Sequence, residues 1–314
     1  TKPYSCGQRW RVPREAIARR DWGFPMFGRG SANQGGGIVA RFPTAKGFRM
    51  SIAAPHPRST ASRLLNRVPE ITVFFWFIKI MATTVGETAA DFLNTTLGLG
   101  LNGTSLVMSG LLALALWAQF RARRYVPSLY WLAVVLISVV GTLISDNLVD
   151  NLGVSLVTTT ALFGSALALV FVAWFAVERT LSVHTIFTAR REGFYWAAIL
   201  FTFALGTSGG DLLAERLAVG YAPSALLFAA VIGLTYWAYR LGGNPILTFW
   251  IAYIVTRPLG ASTGDFLSQP IGAGGLALGT VGTSLLFLAA ILGMVVYLTA
   301  RQRQAAPVAL PVRD

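Results

Sequence analysis

The feature that most constrains this chain is a series of long apolar segments separated by short polar breaks. Each is close to the ~20 residues that a helix needs to cross ~30 Å of hydrocarbon. The segments are continuous and do not alternate with a period of two, which favours helices over a membrane barrel. The sequence therefore predicts an all-α integral membrane protein of about eight transmembrane helices. The runs lie at about residues 70–96, 104–121, 128–150, 156–178, 194–216, 223–240, 245–268 and 281–300.

Composition and charge agree with a membrane protein. Hydrophobic residues make up 54% of the chain and charged residues only 12%, against roughly 25% charged residues in soluble domains. The net charge is +13, but the basic residues lie in an N-terminal tail and in short loops beside the apolar runs. This distribution indicates the positive-inside bias rather than nucleic-acid binding, so we expect both termini in the cytoplasm. The expected partner is the lipid bilayer, and the oligomeric state stays open.

Outside the apolar runs the sequence predicts two tails. Residues 1–67 are basic, rich in Gly, Pro and Ser, and are interpreted as disordered. Met50 is a plausible shorter start, so residues 1–49 are either a mis-assigned translation start or a genuine basic arm. Residues 68–302 form the membrane domain and residues 303–314 a short tail. A single cysteine, Cys6, and no histidine within an apolar run argue against a disulfide and a zinc site.

A motif recurs at the same spacing in the odd-numbered runs. Its form is Trp-x9-Gly-x4-Asp-x-Leu, and four copies at this spacing indicate internal duplication. Each repeat contains two spans, so all four point the same way across the bilayer and can surround a central axis. The repeats cover about residues 70–124, 125–188, 189–241 and 242–302. The motif residues are Trp76, Trp131, Trp196 and Trp250, Gly86, Gly141, Gly206 and Gly260, and Asp91, Asp146, Asp211 and Asp265.

The chain resembles, in these four tryptophans, a family of bacterial membrane proteins built of four tandem two-helix repeats, each with a characteristic tryptophan. The resemblance covers about residues 68–302. It implies the repeat architecture and a location in the bacterial cytoplasmic membrane. The family is uncharacterised, so the resemblance implies no activity, and function is argued from the residues.

The four aspartates are the candidate site. Helical rise places each about 22 Å beyond its tryptophan, in the outer part of the bilayer. Three further acids lie one turn from them, whereas repeat four has Gln269. Such crowding needs protonation, water or a bound cation, and oxygen ligands suit Mn²⁺, Mg²⁺ or protons. The candidate cation-binding residues are Asp91, Asp146, Asp211, Asp265, Glu87, Asp150 and Glu215, with the four aspartates as candidate metal ligands.

An alternative role for these acids stays open. A glycine ahead of each aspartate would break the helix and leave the aspartate as a cap, or the acids would simply face water. Two basic residues bear on the choice. Arg257, followed by Pro258, is expected to be a counter-charge to the acids, or else to contact lipid headgroups. Lys79 is expected to snorkel to the cytoplasmic interface.

The repeated tryptophans and glycines are interpreted as structural. We expect the tryptophans to anchor the repeats at the membrane interface or to pack, rather than to bind a ligand. The glycines are expected to allow close helix packing or hinge motion.

The sequence contains no phosphate-binding loop, nucleophile elbow or histidine base within a span, so we do not expect an enzyme. The hypothesis that it favours is transport of a small cation, such as a divalent metal or protons, with no cofactor beyond that cation. The alternative is a non-transporting membrane scaffold or sensor in which the acids are structural.

Overall fold

A computed structural model describes residues 66–122 and 124–304. The predicted tails lie almost entirely outside these residues. Eight long helices and no strand are present in the described part of the chain. In chain order they are α1 (Val73–Asp91), α2 (Gly100–Arg121), α3 (Pro127–Asp146), α4 (Leu156–Glu178), α5 (Ala189–Asp211), α6 (Tyr221–Arg240), α7 (Pro245–Ser268) and α8 (Gly279–Gln304).

These helices confirm the all-helical membrane architecture. Seven of these eight helices are long and apolar enough to cross a membrane, three of them together with the turn that extends them. The eighth, α7, has the length but is not among the seven. A π-helical turn continues α1, α3 and α5 by five residues each. Which side of the membrane holds the termini stays a prediction.

Capping residues explain where the inner helices begin. Thr72 accepts a hydrogen bond from the backbone N–H of Phe75 at the start of α1, and Thr188 does the same for Arg191 in α5. Asn244 caps α7, whose first residue is a proline. These side chains satisfy N–H groups that have no partner within the helix, which matters more where water is scarce.

The odd-numbered helices, here called the inner helices, form a closed ring. α1 packs on α3, α3 on α5, α5 on α7, and α7 returns to α1. Each even-numbered, outer helix packs mainly on the inner helix of the following repeat: α2 on α3, α4 on α5 and α6 on α7. The last outer helix, α8, closes the ring by packing on α1, where the Thr88 and Ser284 hydroxyls lie 2.7 Å apart.

The repeated glycines bring neighbouring inner helices together. A Cβ atom at each would collide with the next inner helix, at the residue three positions before that helix's own glycine. Because the relation holds for all four steps around the ring, the inner helices have pseudo-fourfold symmetry. The pairs are Gly86 with Ser138, Gly141 with Phe203, Gly206 with Arg257 and Gly260 with Thr83.

The repeated tryptophans build an aromatic layer where the inner helices begin, called here the basic end. An aromatic residue precedes each tryptophan and contacts the tryptophan of the next repeat. The ring-centroid distances are 5.6 Å for Phe75–Trp131, 5.5 Å for Tyr130–Trp196, 6.5 Å for Tyr195–Trp250 and 5.8 Å for Phe249–Trp76. Anchoring at the lipid interface is therefore wrong for Trp131, Trp196 and Trp250, which are buried. These three tryptophans instead pack against the aromatic residue of the preceding repeat.

A buried acid links two repeats at the basic end of the ring. Glu192, in the first turn of α5, accepts a hydrogen bond from Arg67 at 2.6 Å and another from Gln119 of α2 at 3.0 Å. The segment before α1 is thus tied to α2 and α5.

The glycine contacts predict a large cost for one methyl group. Gly141→Ala places a Cβ 2.6 Å from the Phe203 Cβ and 3.2 Å from the backbone nitrogen of Ala204. We expect it to destabilise the protein by about 1–3 kcal/mol, the usual cost of overpacking. Thermal unfolding in detergent measures this. Gly110→Ala on the outer helix α2 meets nothing within 4 Å and is the control. Equal midpoints for the two variants would contradict the close-packed ring.

Candidate functional site

The guanidinium of Arg257 lies where the inner helices meet. Its Nη2 donates to Glu87 Oε2 at 2.8 Å, to Thr207 Oγ1 at 2.7 Å and to Thr142 Oγ1. Its Nη1 donates to the carbonyl of Thr83 at 3.4 Å. The side chain is fully buried. One α7 residue is therefore bonded to α1, α3 and α5 at once.

This geometry decides between the two roles expected for Arg257. A fully buried side chain cannot reach lipid headgroups, so that alternative is wrong. Its ion pair is with Glu87, which is 9% exposed, rather than with one of the four repeated aspartates.

Next to this ion pair, three carboxylates come together. One oxygen from each of Glu87, Asp211 and Asp265 lies within 4.8 Å of the other two. Glu87 and Asp265 are buried and Asp211 is half-buried. Within residues 66–122 and 124–304, neither aspartate has a basic side chain within ion-pair distance. We call Glu87, Asp211 and Asp265 the carboxylate cluster, and this end of the ring the acidic end.

The other predicted site residues lie outside this cluster. Asp91 and Asp146 are half-buried, and the charge of Glu87 acts on both. Asp150 and Glu215 are exposed, and Glu215 accepts a hydrogen bond from the Tyr221 hydroxyl at 3.3 Å. Three of the seven predicted acids thus form the carboxylate cluster, and the other four lie outside it.

The expectation that the aspartates cap a broken helix is wrong. Asp91, Asp146 and Asp211 have right-handed helical backbones and make no side-chain capping bond. The helices continue past them as π-helical turns, which are rare and often mark functional sites. Asp265 lies within α7, which runs on to Ser268. The glycine does not break the helix, because its role is to admit the neighbouring helix.

The expectation that Lys79 snorkels to the interface is also wrong. Its side chain is fully buried, and Nζ donates to Thr256 Oγ1 at 2.6 Å. The ammonium lies 4.1 Å from the ring centroid of Tyr253 and 5.2 Å from that of Phe203. Lys79 points into the ring because its face of α1 packs against α7, which is a relation between helices distant in sequence.

Sequence reasoning missed other parts of the site. The hydroxyls of Thr142 and Thr207 hold the guanidinium, and they occupy the same repeat position as Glu87, directly after the glycine. That position has a signal: it is polar in three repeats and Ala261 in the fourth. The residue before each tryptophan also has a signal, because it is aromatic in all four repeats.

Comparison with known proteins agrees with this fourfold organisation. The Repeat of Unknown Function (DUF347) matches the chain four times, at residues 74–125, 129–180, 194–242 and 248–304. The chain belongs to this repeat family. The resemblance to an uncharacterised family of four tandem repeats is confirmed, and the matched repeats agree with the tryptophan motif. No curated protein and no solved structure matches the chain.

Each DUF347 repeat therefore supplies one inner helix, and the residue after its glycine faces the axis. The first three repeats place Glu87, Thr142 and Thr207 around the guanidinium. The fourth repeat places the small Ala261 there and supplies Arg257 from one turn earlier. The site arises from differences among otherwise equivalent repeats.

The ion pair makes a prediction for stability. Arg257→Met leaves Glu87 buried and without its cation, and Glu87→Gln leaves the guanidinium without its anion. Breaking a buried pair from one side costs about 3–5 kcal/mol, whereas replacing both partners costs much less. We expect the double variant to unfold at a higher temperature than Arg257→Met alone. Thermal unfolding of all four proteins in detergent forms a double-mutant cycle, and strictly additive losses would contradict the pairing.

Proposed function

We propose that this membrane protein transports a small cation, a divalent metal such as Mn²⁺ or protons, through a site formed by the carboxylate cluster. The observation that carries the proposal is the meeting of three carboxylates within 4.8 Å. Among the described residues, Glu87 alone of the three has a cationic partner. Repulsion among them favours any ion that neutralises them.

The ligand set favours a hard cation. Glu87, Asp211 and Asp265 come from α1, α5 and α7, so a bound ion would join three repeats. In an octahedral site with bonds of about 2.0–2.1 Å, opposite ligands are about 4.2 Å apart. Adjacent ligands in such a site are about 3 Å apart, and at least two of the three carboxylate pairs must be adjacent. The cluster, whose oxygens lie within 4.8 Å of one another, would therefore contract around a bound ion, and water would complete the shell. Oxygen-only ligation suits Mn²⁺ or Mg²⁺ better than softer metals.

Passage beyond the cluster requires movement. Arg257 occupies the axis next to it, and the aromatic layer fills the basic end. Pro258 follows directly within α7 and removes one helical hydrogen bond, which makes this point easier to bend. Bending of α7 at Arg257 is the motion that would open the axis.

The second candidate is a non-transporting scaffold or sensor. The observation in its favour is the buried Arg257–Glu87 pair, which joins the helices without any ion. In that case the acids act in folding, and neutralising them would lower stability and leave ion movement unaffected.

Flux measurements separate the two candidates. The purified protein is reconstituted in liposomes, and Mn²⁺ uptake is followed with a trapped fluorescent indicator. Even outer-shell partners of a bound metal contribute about 10–100-fold, so loss of a direct ligand in Asp211→Asn or Asp265→Asn should lower uptake by more than about tenfold. Glu70→Gln, which removes an exposed carboxylate at the basic end, is the control and should keep uptake. Undiminished uptake in both aspartate variants would exclude the cluster as the transport site.

A further inference from the structure

A second positive charge is buried in the ring without a carboxylate beside it. Lys79 donates to the Thr256 hydroxyl and lies over two aromatic rings. In the described part of the chain, no acid comes within ion-pair distance of its Nζ. A charged ammonium in such surroundings is disfavoured unless another charge or a change of protonation compensates.

The choice of lysine at this position is informative. It is the single lysine after residue 46, and every other strongly basic residue from there on is arginine. Arginine stays protonated in proteins, whereas a buried lysine can give up its proton. Of the two basic side chains that are buried in the described residues, Lys79 and Arg257, only Lys79 can therefore change its charge.

The groups around Lys79 do not replace a counter-ion. Arg257 and Tyr253, both on α7, are the ionisable groups that face it, and Arg257 repels it. From α5, the described contact is with the ring of Phe203, which is not ionisable. The ionisable residues of α3 and α8, which also pack on α1, are Tyr130, Asp146, Tyr297, Arg301 and Arg303. Of these, Tyr130 lies in the aromatic layer and Asp146 at the acidic end.

Hydrogen bonds connect Lys79 to the carboxylate cluster. Lys79 donates to Thr256, and the hydroxyl of Thr83 donates to the Thr256 carbonyl at 3.3 Å. Arg257 donates to the Thr83 carbonyl at 3.4 Å and to Glu87 at 2.8 Å. A shift of α7 against α1 therefore changes the surroundings of Lys79 and of Glu87 together.

We infer that Lys79 releases and takes up a proton in exchange for the transported cation, so that the protein is a cation–proton antiporter. This inference rests on the proposed function. With Arg257 and a protonated Lys79, the three carboxylates of the cluster leave a net charge of −1. A bound divalent ion would change this to +1, and loss of the Lys79 proton would return it to zero, so where the dielectric constant is low the ion and the proton disfavour each other. On release an N–H bond of the ammonium breaks, its electron pair stays on Nζ, and the proton passes to water.

Two substitutions at Lys79 give opposite results under this mechanism and under a structural role. Lys79→Met is neutral and of similar length; we expect it to bind Mn²⁺ within about twofold of the wild type and to carry Mn²⁺ down its gradient with no response to a pH gradient. Lys79→Arg is permanently charged and should lower Mn²⁺ uptake by more than about tenfold. A structural role would make Lys79→Arg the active variant. The readouts are Mn²⁺ uptake and a trapped pH indicator in the same liposomes.

A second pair of variants keeps the test decisive if Lys79→Met does not fold. Thr256→Val removes the hydroxyl that accepts from Lys79, and should move the pH of half-maximal uptake by at least about half a unit. Thr202→Val is the control, because Thr202 occupies the same repeat position and its hydroxyl bonds, within the described residues, to the carbonyl of Ala198 alone. An unchanged pH profile in Thr256→Val overturns the inference.

The outcomes also separate this inference from the proposed function. Absence of Mn²⁺ binding and uptake in the wild-type protein removes both. Wild-type uptake that does not respond to a pH gradient, or proton-coupled uptake that persists in Lys79→Met, overturns the antiport inference and leaves cation transport through the carboxylate cluster standing.

Discussion

A permanently charged guanidinium buried on the axis of the helix ring is the constraint on which the rest of the structure depends. Arg257 cannot lose its proton, so each other inner helix must present an acceptor to it. Glu87, Thr142 and Thr207 do this from one equivalent repeat position. The need for these hydrogen bonds sets how the four inner helices are aligned along the axis, which the glycine contacts alone would fix only through steric fit. It also explains why the hydroxyls of Thr142 and Thr207 are buried within apolar spans.

Pseudo-fourfold symmetry and function place opposite demands on the four repeats. The glycine steps and the aromatic layer repeat around the ring because packing is the same at each interface. The chemistry lies where the repeats differ: an acid after the glycine only in the first, a π-helical turn in three of them, and arginine followed by proline only in the fourth. A duplicated scaffold thus supplies equivalent positions, and single substitutions convert one central point into an asymmetric charged site.

The sequence predicts those parts of this structure that depend on interactions within one segment of the chain. Apolar runs and the tryptophan motif predict the helices and their repetition, because both depend on spacing along one chain segment. They do not predict that α2 packs on α3 rather than α1, since either arrangement buries similar apolar surface. The burial of Lys79 and the partners of Arg257 depend on which inner helices are neighbours in the ring, so they appear only in three dimensions. The capping interpretation of the aspartates failed because helix continuation through a π-helical turn has no comparable sequence signal.

The order of charges along the ring suits the binding of a cation but opposes its passage. Carboxylates at the acidic end attract a cation, yet Arg257 and Lys79 follow directly and repel it, and the aromatic layer closes the far end. A static pore with this order would hold an ion and not conduct it. The proposed movement of α7 at Arg257 and Pro258 would change the first barrier, and the inferred change of charge on Lys79 would change the second. Under the proposed transport function, an ion would therefore cross only when a conformational step and a protonation step occur together, which prevents a leak of either ion.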